Sequence, residues 1–504
     1  MSKSRLLALV LAALPGTLAA QPMFTLQPQA FDVEHVYSGG WEHFVGGGVA
    51  VFDCDGDARP DLAAAGGEAP ARLFRNDTRG PGDPIRFESA TFPTLDRVTG
   101  MYPLDIDGDG AVDLAVLRVG ANLLLKGDGA CGFTDASADW GFDGGDGWTT
   151  AFSATWEGDA DLPTLAFGNY VDRDDPDGPF EACDDNQLYR PEGGRYGKTQ
   201  VLSPGYCALS MLISDWQRNG TPELRISNDR HYYVRGGFEE MWRLAPLAPR
   251  TEADGWRRVS LWGMGIASAD ITDDGLPEVM LTSMGDQLLQ YNDAGEMRDA
   301  PFAVGVAAQR PYQGDDGRPS TGWHAEFADV DNDARLDLFI AKGNVDQMPS
   351  NAMRDPNNLL MQTPDGTFTE AGASAGIADD ARSRGAALAD FDGDGLLDLV
   401  VSARRAPLRL WQNRTADAGN WLSVVPQQDG RNRDAIGAWI EVRLGDRTLS
   451  REVTVGGGHA GGQRGPLHFG LGEAETAEVR VTWPDGTRTE WQRATAGRAV
   501  RIAR

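Results

Sequence analysis

Short apolar runs alternate with clusters of aspartate and glycine along most of this chain. GGGVAVF leads into Asp53, GMGIASA into Asp270 and RGAALA into Asp390. Apolar runs follow the clusters at once, among them LAAAGG from Leu62, LAVL from Leu114, LFIAKG from Leu338 and LVVSAR from Leu399. A second motif comes later in each period, as in Leu73-Phe74-Arg75-Asn76 and Leu410-Trp411-Gln412-Asn413. Runs this short, bounded by Gly and Asp turns, predict strands and not helices.

The clusters share a nine-residue frame. Its first positions are residues 53, 105, 156, 215, 270, 329 and 390. A spacing of 51 to 61 residues is the size of one propeller blade, with room for about four strands. The expected fold class is all-β: a seven-bladed β-propeller over residues 21–418 with a C-terminal β-sandwich-like domain over 419–504. WLSVV, AWIEVRL, SREVTVG, AEVRVTW and AVRIAR supply strand periodicity for that second domain, and WPDG supplies a turn.

Five of the seven loops keep the acidic pattern at positions 1, 3, 5 and 9, four of them at every position. They are Asp53, Asp55, Asp57 and Asp61; Asp105, Asp107, Asp109 and Asp113; Asp329, Asp331, Asp333 and Asp337; Asp390, Asp392, Asp394 and Asp398; and Asp270, Asp274 and Glu278, with Thr272 at position 3. A turn at the central residues brings these side chains to one point, and the position-7 carbonyl adds an oxygen. An all-oxygen, carboxylate-rich shell suits Ca²⁺, which accepts six to eight oxygens in flexible geometry. About five calcium ions are expected, tying strands together in a structural role. Ala58 and Ala334 stand where a glycine is expected, which leaves the turn open in those two loops. Asp215 opens a loop with Gln217, Asn219 and Glu223, where only weak binding is expected. The loop at Trp156 is expected to bind nothing.

Charge and processing signals narrow the class. The formal charge of the 504-residue chain is −29, which argues against nucleic acid and anionic membranes as partners. From Asn420 onward there are 12 Arg, no Lys and 10 acids, so the acidity lies upstream and the shift supports a boundary near 415–420. Residues 1–20 read as a secretory signal peptide: a basic start, the run LLALVLAALPGTLAA and small residues at Ala19 and Ala20. A secreted protein, periplasmic or extracellular, with no membrane insertion follows. In that setting Cys54, Cys131, Cys183 and Cys207 allow three disulfide pairings or free buried thiols, and the short loop favours Cys183 with Cys207.

The repeats resemble the FG-GAP/VCBS repeats of integrin-like propellers. The segments from Gly430 to Ala438, from His468 to Gly472 and from Trp483 to Gly486 resemble the ASPIC/UnbV domain. Together they resemble the secreted cartilage acidic protein family in its bacterial form. The resemblance implies a calcium-binding propeller with a C-terminal β domain, and no reaction.

Recognisable catalytic motifs do not emerge. No Gly-x-Ser-x-Gly elbow, Walker loop or dinucleotide fingerprint occurs. His459, in GGGHAGGQRG near Arg464, is a candidate catalytic histidine, though a packed, turn-stabilising ring is the expectation. His324 is expected to pack beside the Asp329 loop. The acidic insert from Tyr170 to Asp185 reads as a solvated loop, with an extra metal or partner site as the other reading. The insert from Asn228 to Tyr233 mixes polar and aromatic groups, as sugar sites and ordinary loops both do. The favoured function is a binding or adhesion module for a protein or glycan ligand. The alternative is a carbohydrate-active protein, a lectin or a polysaccharide lyase, using a propeller face or the channel. Neither the ligand nor the oligomeric state is fixed by the sequence.

Overall fold

A computed structural model describes residues 20–176, 182–229, 236–314 and 317–504. Most of the proposed signal peptide, and parts of the inserts at 170–185 and 228–233 including His231, lie outside the described residues. Seven meandering sheets, each of four antiparallel strands, make up the larger part. The first runs Val49–Phe52, Asp61–Ala64, Arg72–Asn76 and Phe87–Ala90. The other inner strands are Val98–Leu104, Thr149–Thr155, Ala208–Ser214, Gly263–Ala269, Gly322–Ala328 and Arg382–Ala389. Each inner strand packs beside the next, and the last packs beside the first, so the sheets form a closed ring. Phe24–Leu26 completes the seventh sheet by pairing with Ala406–Asn413, which holds the two ends of the propeller together.

The inner strands are buried along all or nearly all of their length, because both faces of a blade are covered by its neighbours. This is why they read as continuous small or apolar runs and not as alternating ones. One core cluster joins Phe52 and Leu73 of the first sheet to Met101 and Leu114 of the second, and equivalent clusters fill the other gaps. No α-helix occurs among the described residues, and no helix is long and apolar enough to cross a membrane. Both cysteine pairs are disulfides, Cys54–Cys131 and Cys183–Cys207.

From Asn420 the chain forms two sheets packed over one core that includes Leu422, Ile440, Phe469 and Val481. Leu467–Gly472, Asn420–Gln427 and Arg498–Ala503 form one sheet. Arg447–Glu452, Trp439–Leu444, Thr476–Thr482 and Gln492–Thr495 form the other.

The segment between Glu452 and Leu467 leaves this domain and enters the central channel. There its backbone bonds to the inner strands of five blades in turn. Ala154, Ile266, Met101 and Val51 donate N–H groups to the carbonyls of Val455, Gly458, Ala460 and Gly462, at 3.2, 3.3, 3.1 and 3.1 Å. Gly457 donates to Met211 O at 2.7 Å. Glycine is required for this approach. A Cβ on Gly461 would lie 2.1 Å from Val49 O, and one on Gly48 would lie 1.7 Å from Ala460 O. The glycine-rich stretch is therefore a plug: the protein's own chain crosses the channel, and the inner strands on its capped side line a cleft beside it.

Candidate metal centres and the capped face

The acidic loops follow the inner strands, so they all open on one end of the ring. Position 1 organises the turn: its carboxylate accepts the N–H of position 6 in six loops, at 2.9 Å from Ala58 to Asp53, 2.9 Å from Gly110 to Asp105 and 2.6 Å from Gly220 to Asp215. Gly275, Ala334 and Gly395 do the same at 2.9, 2.8 and 2.9 Å. Positions 4 and 6 are left-handed in all six of these loops, and Ala58 (φ 67°) and Ala334 (φ 69°) adopt the same turn as the glycines. The turn is thus retained in both loops whose sequence left it open.

Position 9 is a staple. Asp61 accepts N–H groups from Cys54 and Asn76, both at 2.8 Å, and Asp113 accepts them from Ile106 and Gly127 at 2.8 and 2.9 Å. Asp337 and Asp398 repeat the pattern. Glu278 accepts from Ile271 at 2.9 Å.

Three carboxylates come within 4.8 Å of one another in four loops: Asp53, Asp55 and Asp57; Asp105, Asp107 and Asp113; Asp329, Asp331 and Asp333; Asp390, Asp392 and Asp398. The loop with Thr272 at position 3 forms no such group among the described residues. Burial raises the carboxyls of Asp61, Asp113, Asp270 and Asp390 to about 7, and neighbouring aspartates add to the rise. Glu278 rises to about 8 and Asp105 to about 6, burial again being the largest cause. Asp329, Asp337 and Asp398 are pushed further in the same direction. In the degenerate loops Arg250 grips Glu223 through two bonds of 2.7 and 2.8 Å, and Arg190 pairs with Glu157 at 2.6 Å.

Cations of the protein also reach the acids, some from within the loops and some from outside them. Arg59 pairs with Asp57 at 3.2 Å, and Arg335 pairs with Asp333. Lys126 bonds Asp107 and lies 2.8 Å from Asp109. Arg431 donates to Asp107 O at 2.7 Å, and Arg433 Nε lies 3.4 Å from where a side chain on Gly110 would begin.

The C-terminal domain covers this end of the ring. Arg447 pairs with Asp273 at 2.8 Å and bonds Ala334 O at 2.8 Å. Gly472 N–H donates to Asn332 O at 2.8 Å, and Gly419 N–H to Asp331 O at 2.9 Å. A cleft of about 1970 Å³ remains between the domains, lined by Asp53, Lys126, Glu326, Trp421, Arg451 and Arg464 among others. His459 is wholly buried at the plug. Its Nε2 accepts Gly46 N–H at 3.1 Å, its Nδ1–H donates to Met264 O at 3.1 Å, and its own N–H donates to His324 Nδ1 at 3.2 Å. Both ring nitrogens are thus engaged by backbone, which is a packing role. His324 faces His459 and Glu326, the latter 3.4 Å away, on the inner strand that leads into the Asp329 loop.

Residues 53–116 and 329–401 match the FG-GAP-like repeat family, and residues 383–420 match the FG-GAP repeat. Residues 428–504 match the ASPIC and UnbV family. Cartilage acidic protein 1 of Homo sapiens is 28% identical over 236 residues, covering 44% of this chain and 33% of its own length. The Mus musculus protein is also 28% identical, over 44% of this chain and 34% of its own length, so the match spans about a third of these relatives. Among solved structures, BBS1N from its complex with ARL6DN is 10% identical at a TM-score of 0.47, covering 80% of this chain and 100% of that one. The BP39L lectin of Burkholderia pseudomallei is 10% identical at 0.45, covering 74% and 97%. Neither value carries an argument about function. The chain thus carries FG-GAP repeats within a propeller fold and an ASPIC and UnbV domain after it, and is similar to cartilage acidic protein 1.

Proposed function

We propose that this is an exported, calcium-stabilised propeller that serves as a binding module. The observation that carries the calcium reading is Asp331. It is 1% exposed, its Oδ1 has no hydrogen-bond partner, and it sits within 4.8 Å of Asp329 and Asp333. A buried carboxylate oxygen left bare costs on the order of 1–3 kcal/mol, which a divalent cation bound among three carboxylates removes. Asp105 Oδ1 is bare in the same way. Calcium here holds the turn between the first two strands of a blade and performs no chemistry. The plug closes the ring axis, and the cleft beneath the C-terminal domain and the exposed loops are left as binding surfaces. The test is elemental analysis of purified protein, with melting followed with and without EDTA. About four tightly bound calcium ions per chain are expected, one for each carboxylate cluster. No bound calcium together with an unchanged melting curve would overturn the reading.

A further inference from the structure

The cleft beneath the C-terminal domain holds a cation that no group of the protein answers. Arg451 lines it from the strand Arg447–Glu452. Its guanidinium lies 5.5 Å from the Phe469 ring and makes no hydrogen bond or ion pair among the described residues. Asp329 and Glu326 are near enough for their charges to reach it, yet too far to pair with it. Burial outweighs both charges and holds the arginine below its usual range. Asp329 is buried and does not line the cleft, and its carboxylate is taken by the N–H groups of Asp333 and Ala334 at 3.0 and 2.8 Å. Glu326 does line the cleft, with 21% of its side chain exposed. Gln463 Nε2–H donates to its Oε1 at 2.7 Å, and Leu388 N–H and His324 Nε2–H reach its Oε2 at 3.1 and 3.4 Å. A carboxylate accepts about four such bonds, so Glu326 is fixed in place with capacity to spare.

The other charges along the cleft are engaged elsewhere. Asp53, Asp55, Asp109, Asp270 and Asp390 belong to the acidic loops. Glu88 pairs with Arg75 at 3.9 Å, and Asp434 with Arg464 at 2.6 Å. Asp128 accepts N–H groups from Ala130 and Gly132, both at 2.8 Å. Glu452 accepts the Ser214 hydroxyl and Asp215 N–H at 2.5 and 3.0 Å. Lys126 is held by Asp107 and Asp109, and Arg501 bonds Gln427 Oε1 at 2.7 Å. Arg433 stands at the Asp105 loop of the second blade, whereas Glu326 is on the sixth. The wall around Arg451 is unfinished in a second respect. His468 lines the cleft and is 7% exposed. Asn332 spends its Nδ2–H on Gly395 O at 3.0 Å, so its Oδ1 accepts His468 Nε2–H at 2.7 Å. His468 Nδ1 is then an acceptor without a partner. Burial, with the Arg451 charge added, lowers this ring to about 3 and keeps it neutral. Trp421 stacks on the same ring at 5.9 Å, and Leu388 and Val455 continue the apolar lining.

We propose that this cleft binds a free α-amino acid with an apolar side chain. Its carboxylate takes the Arg451 guanidinium, its ammonium takes Glu326, and its side chain lies along Trp421 and Leu388. A guanidinium fork matches a carboxylate through two parallel bonds. A plain anion would answer Arg451 but set its charge beside Glu326. A plain cation would answer Glu326 but face Arg451. A zwitterion answers both, and a short one suits two groups that sense each other's charge without touching. The proposal rests on the binding-module reading and names the cleft, not the exposed loops, as the site.

The test uses the full-length, calcium-replete protein. Equilibrium dialysis against an equimolar mixture of the common L-amino acids, with the bound fraction identified by mass spectrometry, is expected to retain one or more of the apolar ones. Calorimetry then compares the best-retained amino acid with its N-acetyl derivative, its amide and a tripeptide that ends in it. Each of these lacks one of the two charges at the α-carbon and is expected to bind about tenfold or more weakly. Glu326→Gln erases the preference over the N-acetyl form, and Arg451→Gln erases the preference over the amide. Arg451→Lys keeps part of the latter. Arg451 makes no bond within the protein, so Arg451→Gln is expected to melt at the wild-type temperature or above, where loss of a structural arginine would lower it. Calcium content and the effect of EDTA on melting, read on the same preparations, report the calcium reading separately, so a failure here with calcium retained strikes the site alone. No apolar amino acid retained overturns the proposal, as does wild-type binding in both Gln variants. An N-acetyl form or tripeptide that binds as strongly as the free acid assigns Arg451 to a chain terminus and also overturns it.

Discussion

The ring of His459 is fully out of water, between His324, Trp323 and the buried Arg384. Burial is the main reason its pKa falls to about 3, and the charges of Arg384 and His324 add to it. The sign follows directly. Below about 6.5 the unfolded chain takes a proton that the folded ring refuses, so stability is lost as pH falls through 6.5 toward 3. Between pH 8 and pH 5 this amounts to about 2 kcal/mol. Wild-type protein is expected to lose that much more than His459→Gln over the same range, measured by urea denaturation. Parallel pH curves for the two proteins would place the titration elsewhere. At Gly461 the constraint is steric: a methyl group would meet the Val49 carbonyl at 2.1 Å, so Gly461→Ala is expected to cost about 3 kcal/mol or more. The histidine and the glycines were visible in the sequence. Their partners are one to four hundred residues away and were not.

At the scale of one loop, the acids carry two roles. Positions 1 and 9 hold backbone, and position 1 also joins position 3 with position 5 or position 9 in the carboxylate groups open to a cation. Asp398→Ala removes the acceptor for both Phe391 and Asn413, bonded at 2.9 and 2.8 Å, and is expected to destabilise by about 3 kcal/mol while one calcium ion is lost. Asp392→Asn is expected to lose the ion with a smaller stability change. Elemental analysis paired with denaturation separates the two. Proton linkage gives a further check. Asp61, Asp113 and Asp390 are raised from 3.8 to about 7, so the stability tied to their protonated forms is full below about pH 4 and disappears as pH rises through 7. The calcium-induced rise in melting temperature is therefore expected to be larger at pH 8 than at pH 5.5, and an equal rise at both would refute the assignment. The 1-3-5-9 spacing made these loops legible. Lys126 escaped notice because it stands 13 residues beyond Asp113, on the third strand of the blade.

Blade is tied to blade by a recurrent side-chain link. Asn76 bonds its own Pro60 O at 3.0 Å and Phe391 O of the previous blade at 2.8 Å. Asn413 joins Leu397 O to Val330 O, and Asn292 joins Pro277 O to Trp216 O. Gly127 stands at the equivalent place in the second sheet and has no side-chain amide to offer. There the Cys54–Cys131 disulfide makes the link across to the first blade, across 77 residues of sequence. Replacing both cysteines by serine is expected to cost roughly 4 kcal/mol, read by denaturation with and without reductant. For the whole molecule, the plug makes the C-terminal domain part of the propeller's interior. A chain ending at residue 418 leaves the inner-strand groups that bond Val455, Gly458, Ala460 and Gly462 without their partners. It is expected to melt well below the full chain and to be cut by proteases that spare the intact protein. Equal stability of the two would show that the plug adds nothing.

By itself the sequence determined the all-β class, the repeat period, the blade strands, the acidic loops and the place of the second domain. Each of these is written in local spacing: an apolar run of strand length, a turn of fixed geometry, a shift in charge. The tertiary structure alone decided that GGGHAGGQRG plugs the channel and that arginines of the last domain lie over acidic loops. Those outcomes depend on closing a ring of some four hundred residues, which brings together positions that no local pattern connects. Glycine content announces that backbones approach closely, but only the closed ring shows which ones.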